Sequence, residues 1–323
     1  MVVIVGRNST WQKTYRCGSV TRGEVNRIDE VIESPAGKGS NVCRALGVYA
    51  VACELHAYIG GPTGDKFASA CDLDGIRSRF TRIAQETRVC VTVIEADGTV
   101  TELVEPAPRV TDGECRDAEA LTLGALDSAS MLAICGTAMT GEGEDCYRSL
   151  VRAARDRDVP VVLDSYRQHG RRALEAGPDI VKINRDELAE LTGSPVDTET
   201  MRIAAYRALF DRFGVLWAVI TDGKDGAEAF NGRTLVRVRP PAVTAVNPIG
   251  SGDSVTAGLL ARILETDGKF SDRYRDADLL RAALAEGVAA GTANCLSEKP
   301  GYIDRTTLTK VRSGIVVEQH DIA

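Results

Sequence analysis

The sequence predicts an α/β fold, in which helices cover both faces of a mostly parallel β-sheet and a small additional β-sheet stands apart. Three patterns indicate this fold. Residues 2–5 form a continuous apolar run, which is typical of a strand buried on both faces. From residue 106 onward, short apolar runs alternate with amphipathic segments, as in parallel sheets flanked by helices. Residues 8–32 and 88–103 alternate apolar and polar positions, which favours strands exposed on one side.

The two alternating segments are predicted to pair with each other. The first follows Gly6, where the buried first strand ends. The second contains Asp97-Gly98 between two apolar runs, which is a strong signal for a tight hairpin. Together they supply enough strands for a small sheet of their own.

The rest of the chain is predicted to continue as strands and helices of one domain, residues 1–323. Apolar strands are expected at 131–135 and 159–163, with a helix over 145–157 between them. A helix of small residues over 279–294 would pack closely against the sheet. No linker separates independent domains. In open sheets of this kind, ligands bind at the carboxyl ends of the strands.

Composition narrows the classes of function. The 323 residues are 44% apolar and carry a net charge of −7 with a pI near 5.2. Such a surface does not attract nucleic acid or an anionic membrane, so neither is expected as a partner. The nine cysteines are scattered without a C-x-x-C pair, there are three histidines, and no apolar run approaches about 18 residues. We therefore expect reduced thiols and a cytoplasmic location.

The stretch over residues 246–260 combines a glycine-rich turn, a carboxylate and the start of a helix. Gly250 and Gly252 permit backbone angles at which successive N–H groups converge on one anion. The helix is predicted to begin near Asp253, so the positive end of its dipole would face that anion. A carboxylate there repels the anion, which favours a role as a base. The alternative is that Asp253 or Ser251 only caps the helix.

Residues 247–258 resemble the signature D-T-V-G-A-G-D-x-F-x-A-G of the PfkB family of carbohydrate kinases, also called the ribokinase family. In that family the aspartate corresponding to Asp253 takes the proton of the attacking sugar hydroxyl. The amides of Gly250, Ser251 and Gly252 would then stabilise charge on the transferring phosphoryl group. These roles agree with phosphoryl transfer catalysed by positioning and electrostatics.

The resemblance also implies an architecture and cofactors. It implies a ribokinase-like three-layer α/β/α domain whose sugar site is covered by a small β-sheet lid, here residues 8–33 and 88–104. It implies ATP and Mg²⁺ as cofactors and a small-molecule sugar phosphate as the other substrate. Because such lids often pair between subunits, a homodimer through the lid is expected.

A second glycine-rich segment lies at residues 34–47, where Asn41 is predicted to open a helix. It is not a Walker phosphate loop, because Gly39 follows Lys38 where that motif requires Ser or Thr. It resembles the family's N-terminal signature G-G-K-G-x-N-V-A, and the resemblance implies that Gly37, Lys38 and Asn41 hold the sugar. A lysine here would supply a point charge for a phosphate already on the substrate. The alternative is a plain helix-capping turn with a solvated lysine.

Two arginines at the edges of the predicted lid are further candidates. Arg27 and Arg88 lie in segments similar to the G-E-V-N-R and E-T-R-x-N motifs of 1-phosphofructokinases and tagatose-6-phosphate kinases. An arginine fork suits a phosphate monoester, so both are interpreted as clamps for the substrate phosphate, although surface arginines are often only solvated charges. Gln12 departs from the pattern, because those kinases carry a sugar-binding aspartate there. Gln12 can still exchange hydrogen bonds with a sugar.

Nucleotide-binding candidates follow two later strands. Lys182, Asn184 and Glu187 lie in a segment that resembles the family's K-P-N-x-x-E-L motif. The resemblance implies that they face the nucleotide phosphates, with Glu187 reaching Mg²⁺ through water. The alternative for Asn184 and Glu187 is a capping box.

The same resemblance assigns four more residues to the nucleotide. Residues 219–230 are similar to the family's S-L-G-x-x-G loop, with Thr221 and Gly223 near the phosphates and Gly226 turning the chain. Asn294 lies in a segment similar to the one that walls the adenine. An interior helix position is an equally good interpretation of Asn294.

The leading hypothesis is an ATP- and Mg²⁺-dependent kinase of a hexose phosphate such as fructose 1-phosphate or tagatose 6-phosphate. One alternative is a kinase of an unphosphorylated sugar or a nucleoside. Another is a non-catalytic protein that binds sugar phosphate and nucleotide. A dinucleotide-dependent dehydrogenase is disfavoured, because no G-x-G-x-x-G follows the first strand.

Overall fold

The structure is a computed structural model that describes residues 1–266 and 270–322. Its strands belong to two sheets. The smaller sheet consists of β2 (Thr10–Cys17), β3 (Glu30–Ala36), β6 (Arg88–Glu95) and β7 (Val100–Val104). The larger sheet consists of β1 (Val2–Asn8), β4 (Cys53–Ile59), β5 (Ser78–Arg82), β8 (Met131–Cys135), β9 (Val161–Asp164), β10 (Ile180–Asn184), β11 (Trp217–Thr221), β12 (Ala227–Phe230), β13 (Thr234–Arg239) and β14 (Val316–Asp321).

The larger sheet is mostly parallel, as predicted. Its strand order is β14-β13-β12-β11-β10-β9-β8-β1-β4-β5. All neighbouring pairs from β11 to β5 are parallel, whereas β12, β13 and β14 add an antiparallel edge. The parallel strands therefore all present their carboxyl ends at one edge, where open sheets bind ligands.

Helices connect the parallel strands and cover the larger sheet. They are α1 (Lys38–Gly47), α2 (Gly61–Leu73), α3 (Asp112–Leu126), α4 (Cys146–Arg155), α5 (Arg167–Leu174), α6 (Arg185–Thr192), α7 (Glu199–Phe213), α8 (Ser251–Leu264), α9 (Phe270–Arg273), α10 (Ala277–Cys295) and α11 (Arg305–Arg312). Within the described ranges, no helix has both the length and the apolar character needed to cross a bilayer.

The hydrophobic core lies on both faces of the larger sheet. Along β1, Val2 and Ile4 pack with residues of α1, α8 and α10, whereas Val3 and Val5 pack with residues of α4, α5 and α7. This alternation follows from the two-residue period of a strand. The result is three layers, with the sheet between two layers of helices. The predicted three-layer arrangement is therefore present.

The smaller sheet has the strand order β3-β2-β6-β7. β2 pairs with β3 in antiparallel fashion and with β6 in parallel fashion, so the two alternating segments do pair, as predicted. β6 and β7 form the predicted hairpin, with Gly98 at a φ of 87°. One face of this sheet packs on α2, where the Lys66 ammonium lies 4.3 Å from the centre of the Trp11 ring.

Two helices begin earlier than predicted. α1 begins at Lys38 rather than at Asn41. Gly37 immediately before it has a φ of 112°, which is outside the helical range, so the helix starts at the next residue. α8 begins at Ser251 rather than near Asp253, because Gly250 takes the turn. Lys38 and Asp253 therefore both lie within the first turn of their helices.

Candidate active site

The turn before α8 is formed by a glycine backbone and held by polar side chains. Gly250 lies in the left-handed region with a φ of 80° and caps the helix without a side-chain hydrogen bond. Asn247 supports the turn, since its Oδ1 accepts from the Ile249 amide at 3.0 Å and its Nδ2 donates to the Glu298 carbonyl at 2.9 Å. The Ser251 hydroxyl donates to the Pro248 carbonyl at 2.8 Å. The Ser251 amide also donates to that carbonyl, at 3.3 Å, so the amides of Gly252 and Asp253 are the ones in the first turn of α8 that remain available to an anion.

Asp253 does not cap α8, so that alternative is wrong. It is the third helical residue and only 6% exposed. Its Oδ2 accepts from Asn41 Nδ2 at 2.8 Å. Burial raises the pKa of Asp253 above its usual range, against the opposing charge of Lys38. A buried carboxylate with one donor and a raised pKa has the properties of a general base.

Asp164 belongs to the same group of charges, although the sequence did not predict it. It ends β9, is 1% exposed, and accepts from Lys38 Nζ at 2.8 Å, from Lys182 Nζ at 3.0 Å and from the Thr256 hydroxyl at 2.8 Å. Burial alone would raise the pKa of Asp164, but the two ammonium groups outweigh it and hold that pKa well below its usual range. The sequence does contain one indication of this residue, because a carboxylate there follows an otherwise apolar strand.

The two lysines bring positive charge to the start of α8. A Cβ placed on Gly252 would lie 3.1 Å from Lys182 Nζ, so a larger residue there would press on the ammonium. The Lys38 side chain is about one-third exposed at 35%, whereas that of Lys182 is buried. Asp164 and Asp253 raise the pKa of Lys38, so it stays charged. Two ammonium groups, the α8 amides and Asp253 therefore share one location.

Asn184 and Glu187 form the capping box that was their alternative interpretation. Asn184 Oδ1 accepts from the Glu187 amide at 2.8 Å, and Glu187 Oε2 accepts from the Asn184 amide at 2.9 Å. The second carboxylate oxygen of Glu187 has no hydrogen bond among the described residues. Within that same part of the chain, no cluster of three or more His, Cys, Asp or Glu side chains could hold a metal.

The loop after β11 needs its glycine for steric reasons. Thr221 ends the strand and a 3₁₀ turn follows at Gly223–Asp225. Gly226 has a φ of 94°, and a Cβ on it would lie 2.0 Å from the Val238 carbonyl oxygen. The tight turn returns the chain as β12 and leaves Thr221 and Gly223 at the carboxyl edge of the sheet.

Asn294 is an interior residue, which corrects its assignment to the adenine pocket. It is fully buried, with 0% exposure. Its Nδ2 donates to the Ile249 carbonyl at 2.8 Å and to the Ser251 hydroxyl at 3.1 Å, and its Oδ1 accepts from the Gly301 amide at 2.7 Å. With its amide fully used, Asn294 supports the turn before α8 instead of contacting a ligand.

The predicted sugar residues lie on and around the smaller sheet. Gln12 is buried, and its Nε2 donates to the Thr92 hydroxyl at 2.8 Å and to the Lys13 carbonyl at 3.2 Å. Arg88 begins β6 and donates from Nη1 to the Glu105 carbonyl at 3.1 Å, while its buried Nε has no acceptor among the described residues. Arg27 lies exposed in the loop between β2 and β3.

Gly37 and the end of β1 form the floor beside these residues. A Cβ on Gly37 would lie 2.9 Å from the Asn8 carbonyl oxygen. Asn8 Oδ1 and the Ser9 hydroxyl are buried and have no hydrogen-bond partner within residues 1–266 and 270–322. Unpaired buried polar atoms are rare, and here they border the start of α1.

Comparison with known proteins decides the family. The family model described as pfkB family carbohydrate kinase matches residues 2–305. The chain belongs to the PfkB family of carbohydrate kinases. It is therefore a sugar kinase, and the family resemblance read from the two signatures is confirmed.

Solved structures of PfkB-type kinases share this fold. Phosphofructokinase-2 from Escherichia coli in complex with substrates and products has a TM-score of 0.88 at 21% identity, over 97% of this chain and 98% of that one. The tetrameric inhibited form of the same enzyme has a TM-score of 0.85 over the same shares. A protein from Thermotoga maritima described as a possible 1-phosphofructokinase has a TM-score of 0.84 at 21% identity, over 99% of each chain.

Proposed function

We propose that this PfkB kinase transfers the γ-phosphoryl group of ATP to a hydroxyl of a hexose phosphate, with Asp253 as the general base. The observation that carries the proposal is the position of Asp253. It is buried in the first turn of α8, has no capping role, and lies beside free helix amides and the Lys38 charge. A base and an anion site at one location are what phosphoryl transfer to an alcohol requires.

The proposed chemistry divides between a proton and a phosphoryl group. Asp253 accepts the proton of the attacking sugar hydroxyl, and its raised pKa makes it a stronger base than an exposed aspartate. The amides of Gly250, Gly252 and Asp253, together with the two lysines on Asp164, stabilise the negative charge on the transferring group. Asp164 itself makes no contact with substrate in this scheme and holds both ammonium groups in place.

ATP is assigned to the carboxyl edge of the sheet. Asn184 ends β10 and Thr221 ends β11 there, and Lys182 lies two residues before the end of β10. Gly223 and Gly226 lie in the tight loop that follows β11. Glu187 fits Mg²⁺ held through water, because one of its carboxylate oxygens remains unpaired and Mg²⁺ keeps most of its hydration shell. The cation would neutralise charge on the nucleotide phosphates.

The substrate phosphate is assigned to Arg88 and Arg27. Lys38, which the family resemblance suggested as a further clamp, lies instead beside Asp164 and Asp253 at the reacting end. The buried Nε of Arg88 lacks an acceptor, which a phosphate oxygen would supply. Gln12 uses its amide nitrogen on Thr92 and Lys13, so only its Oε1 would face a sugar hydroxyl. Asn8 and Ser9 add unpaired polar atoms for other hydroxyls. These features favour fructose 1-phosphate or tagatose 6-phosphate, with Gly37 and Asn41 beside the reacting end.

The alternatives differ at the sugar end. Gln12 lacks the charge of the usual aspartate, which supports a neutral-sugar or nucleoside kinase, or a protein that binds without turnover. A coupled assay of ADP release tests all three. The enzyme and its Asp253→Asn variant are incubated with MgATP and fructose 1-phosphate, fructose 6-phosphate, tagatose 6-phosphate, ribose, fructose or adenosine. Turnover confined to unphosphorylated compounds would reject the hexose phosphate, and tight binding without ADP release would favour the binding protein.

A homodimer through the lid is part of this proposal. Large apolar side chains are exposed on the lid strands and their loop: Val20, Val25, Val31, Leu103 and Val104. Large apolar side chains left exposed on both edge strands of this small sheet support an interface that covers it. Sedimentation velocity of the wild type and Leu103→Glu tests it, since the charged variant should sediment as a smaller species. We also expect the kinase in the cytoplasm, which its nine free cysteines support.

A further inference from the structure

Arg44 is a buried arginine on α1 that no part of the proposed chemistry uses. It is 8% exposed, and its donors reach four groups in three parts of the chain. Nε donates to Asp74 Oδ2 at 2.9 Å, Nη2 donates to the Pro35 carbonyl at 2.8 Å, and Nη1 donates to the Pro300 carbonyl at 2.9 Å and to Asn41 Oδ1 at 3.4 Å.

Asn41 connects this arginine to Asp253. Its Oδ1 faces the Arg44 guanidinium, and its Nδ2 donates to Asp253 Oδ2 at 2.8 Å. A side-chain amide can flip, which exchanges its oxygen and nitrogen. A guanidinium has no acceptor and a carboxylate has no donor, so only the observed orientation satisfies both neighbours. Arg44 therefore excludes the flipped amide, in which an oxygen would face the carboxylate.

The arginine is itself held in place from the other side. Asp74 accepts hydrogen bonds from the Arg44 guanidinium and from the Tyr302 hydroxyl. The Tyr302 ring lies 4.7 Å from the Arg44 guanidinium carbon. The backbone of Gly301 is pressed against Asn41, since a Cβ on Gly301 would lie 2.7 Å from the Asn41 carbonyl oxygen. Packing and charge together fix the Arg44–Asn41 pair.

We propose that Arg44 is a positioning residue for the catalytic base, which acts by locking the Asn41 amide so that it donates to Asp253. The inference rests on the proposed role of Asp253. Without the lock, Asn41 can rotate or flip, and the carboxylate loses its hydrogen-bond donor. The ionised form of Asp253 is then less stable and its side chain less well aimed at the attacking hydroxyl.

Other charged groups around Asp253 set the baseline for its titration. Lys38 on α1 and Lys182 on β10 favour its ionised form, whereas Asp164 on β9 disfavours it. The Cys135 thiol on β8 is buried and its pKa is raised well above its usual range, so it is neutral. None of these groups contacts Arg44 in the described structure, so a change at Arg44 reaches Asp253 through Asn41.

The test compares the pH dependence of kcat in Arg44→Lys, Asn41→Leu and the double variant. Arg44→Lys keeps the charge but cannot bridge Asp74, Pro300 and Asn41 together. Losing the Asn41 hydrogen bond should raise the pKa of Asp253. We therefore expect the acid limb of the pH profile of kcat to move to higher pH by about one unit, the size expected for one hydrogen bond to a carboxylate. Because the same donor is lost, Asn41→Leu should give a similar shift and the double variant no further shift.

A structural role alone gives a different result. Arg202→Met removes another arginine paired in the interior, with Glu228, and should lower the melting temperature without moving the acid limb. If Arg44→Lys lowers kcat equally at every pH, or if its shift adds to that of Asn41→Leu, the proposal is overturned. If Arg44→Lys does not fold, Asp74→Asn loosens the arginine and should give a smaller shift in the same direction; no shift would also overturn it.

A direct titration separates this proposal from that for Asp253. Infrared titration of the ¹³C-aspartate protein, with Asp253→Asn as the subtraction reference, gives the pKa of Asp253 without any activity measurement. A rise in the pKa of Asp253 in Arg44→Lys supports the positioning role. If Asp253→Asn retained turnover, that result would reject only the proposal that Asp253 is the general base. An unchanged pKa in Arg44→Lys rejects the positioning role even if Asp253→Asn is inactive.

Discussion

Replacing Asp164 by asparagine tests the charge cluster at the start of α8. The substitution preserves shape but removes the carboxylate shared by Lys38, Lys182 and Thr256. Breaking a buried ion pair by removing one partner costs roughly 3–5 kcal/mol. Asp253 still lies close enough to act on both lysines, so we expect the lower end, about 3 kcal/mol. For a chain of this length, that lowers the melting temperature by about 4–5 °C.

The same substitution should also reduce catalysis. Without Asp164 both ammonium groups are free to move, and the charge that stabilises the transferring phosphoryl group is lost or misplaced. We expect kcat to fall at least about tenfold, because a positioned charge in a catalytic site contributes at least that much. Calorimetry and the coupled ADP assay on one preparation measure both effects.

Glu228→Gln is the matched control. Glu228 is another largely buried carboxylate, paired with Arg202 and Arg237, and those groups hold its pKa at about 2 although burial opposes this. It lies away from α8, so its loss should lower the melting temperature but leave kcat nearly unchanged. If Asp164→Asn changes the melting temperature by less than about 1 °C, or leaves kcat at the level of this control, the assigned role of the cluster is wrong.

The pH dependence of stability provides a second check on Asp164. Its pKa in the folded state lies below that of the unfolded chain, so its contribution is complete above about pH 4. The contribution is lost as the pH falls through the folded-state pKa. The wild type should therefore lose more stability than Asp164→Asn on acidification below pH 4, and parallel curves would contradict this linkage.

Further substitutions give separate predictions. Asp253→Asn should lower kcat about 10²–10⁴-fold with little change in KM for ATP, and near-normal turnover would remove Asp253 from the mechanism. Arg88→Leu should raise KM for a sugar phosphate about tenfold to a hundredfold and spare ATP. Lys38→Met should instead lower kcat, because Lys38, unlike Arg88, lies beside Asp253. Gln12→Asp should not improve turnover of the native substrate, and a uniform fall in KM across hexose phosphates would contradict altered specificity. Gly226→Ala should destabilise the fold by about 2 kcal/mol or more in thermal unfolding, because its Cβ would collide with a carbonyl oxygen; an unchanged melting temperature would show that the loop relaxes freely.

The sequence by itself determined the elements whose signals are local. The buried first strand, the hairpin at Asp97-Gly98 and the alternation after residue 106 all follow from periodicity and turn chemistry, and the structure contains each of them. The glycine turn at Gly250 with its nearby carboxylate was visible because it spans only a few residues. Element boundaries were less accurate: glycine geometry moved both helix starts by two or three residues.

Only the tertiary structure decided how distant residues combine. Asp164, Lys38 and Lys182 are separated by 126 and 18 residues, and no local pattern predicts that they share one ion cluster. Asn294 read equally well as a ligand contact or as an interior residue until its three hydrogen bonds were known. The physical reason is that burial and partner choice depend on where parallel strands and helices bring their ends together. That convergence joins Asn41 to Asp253 across 212 residues.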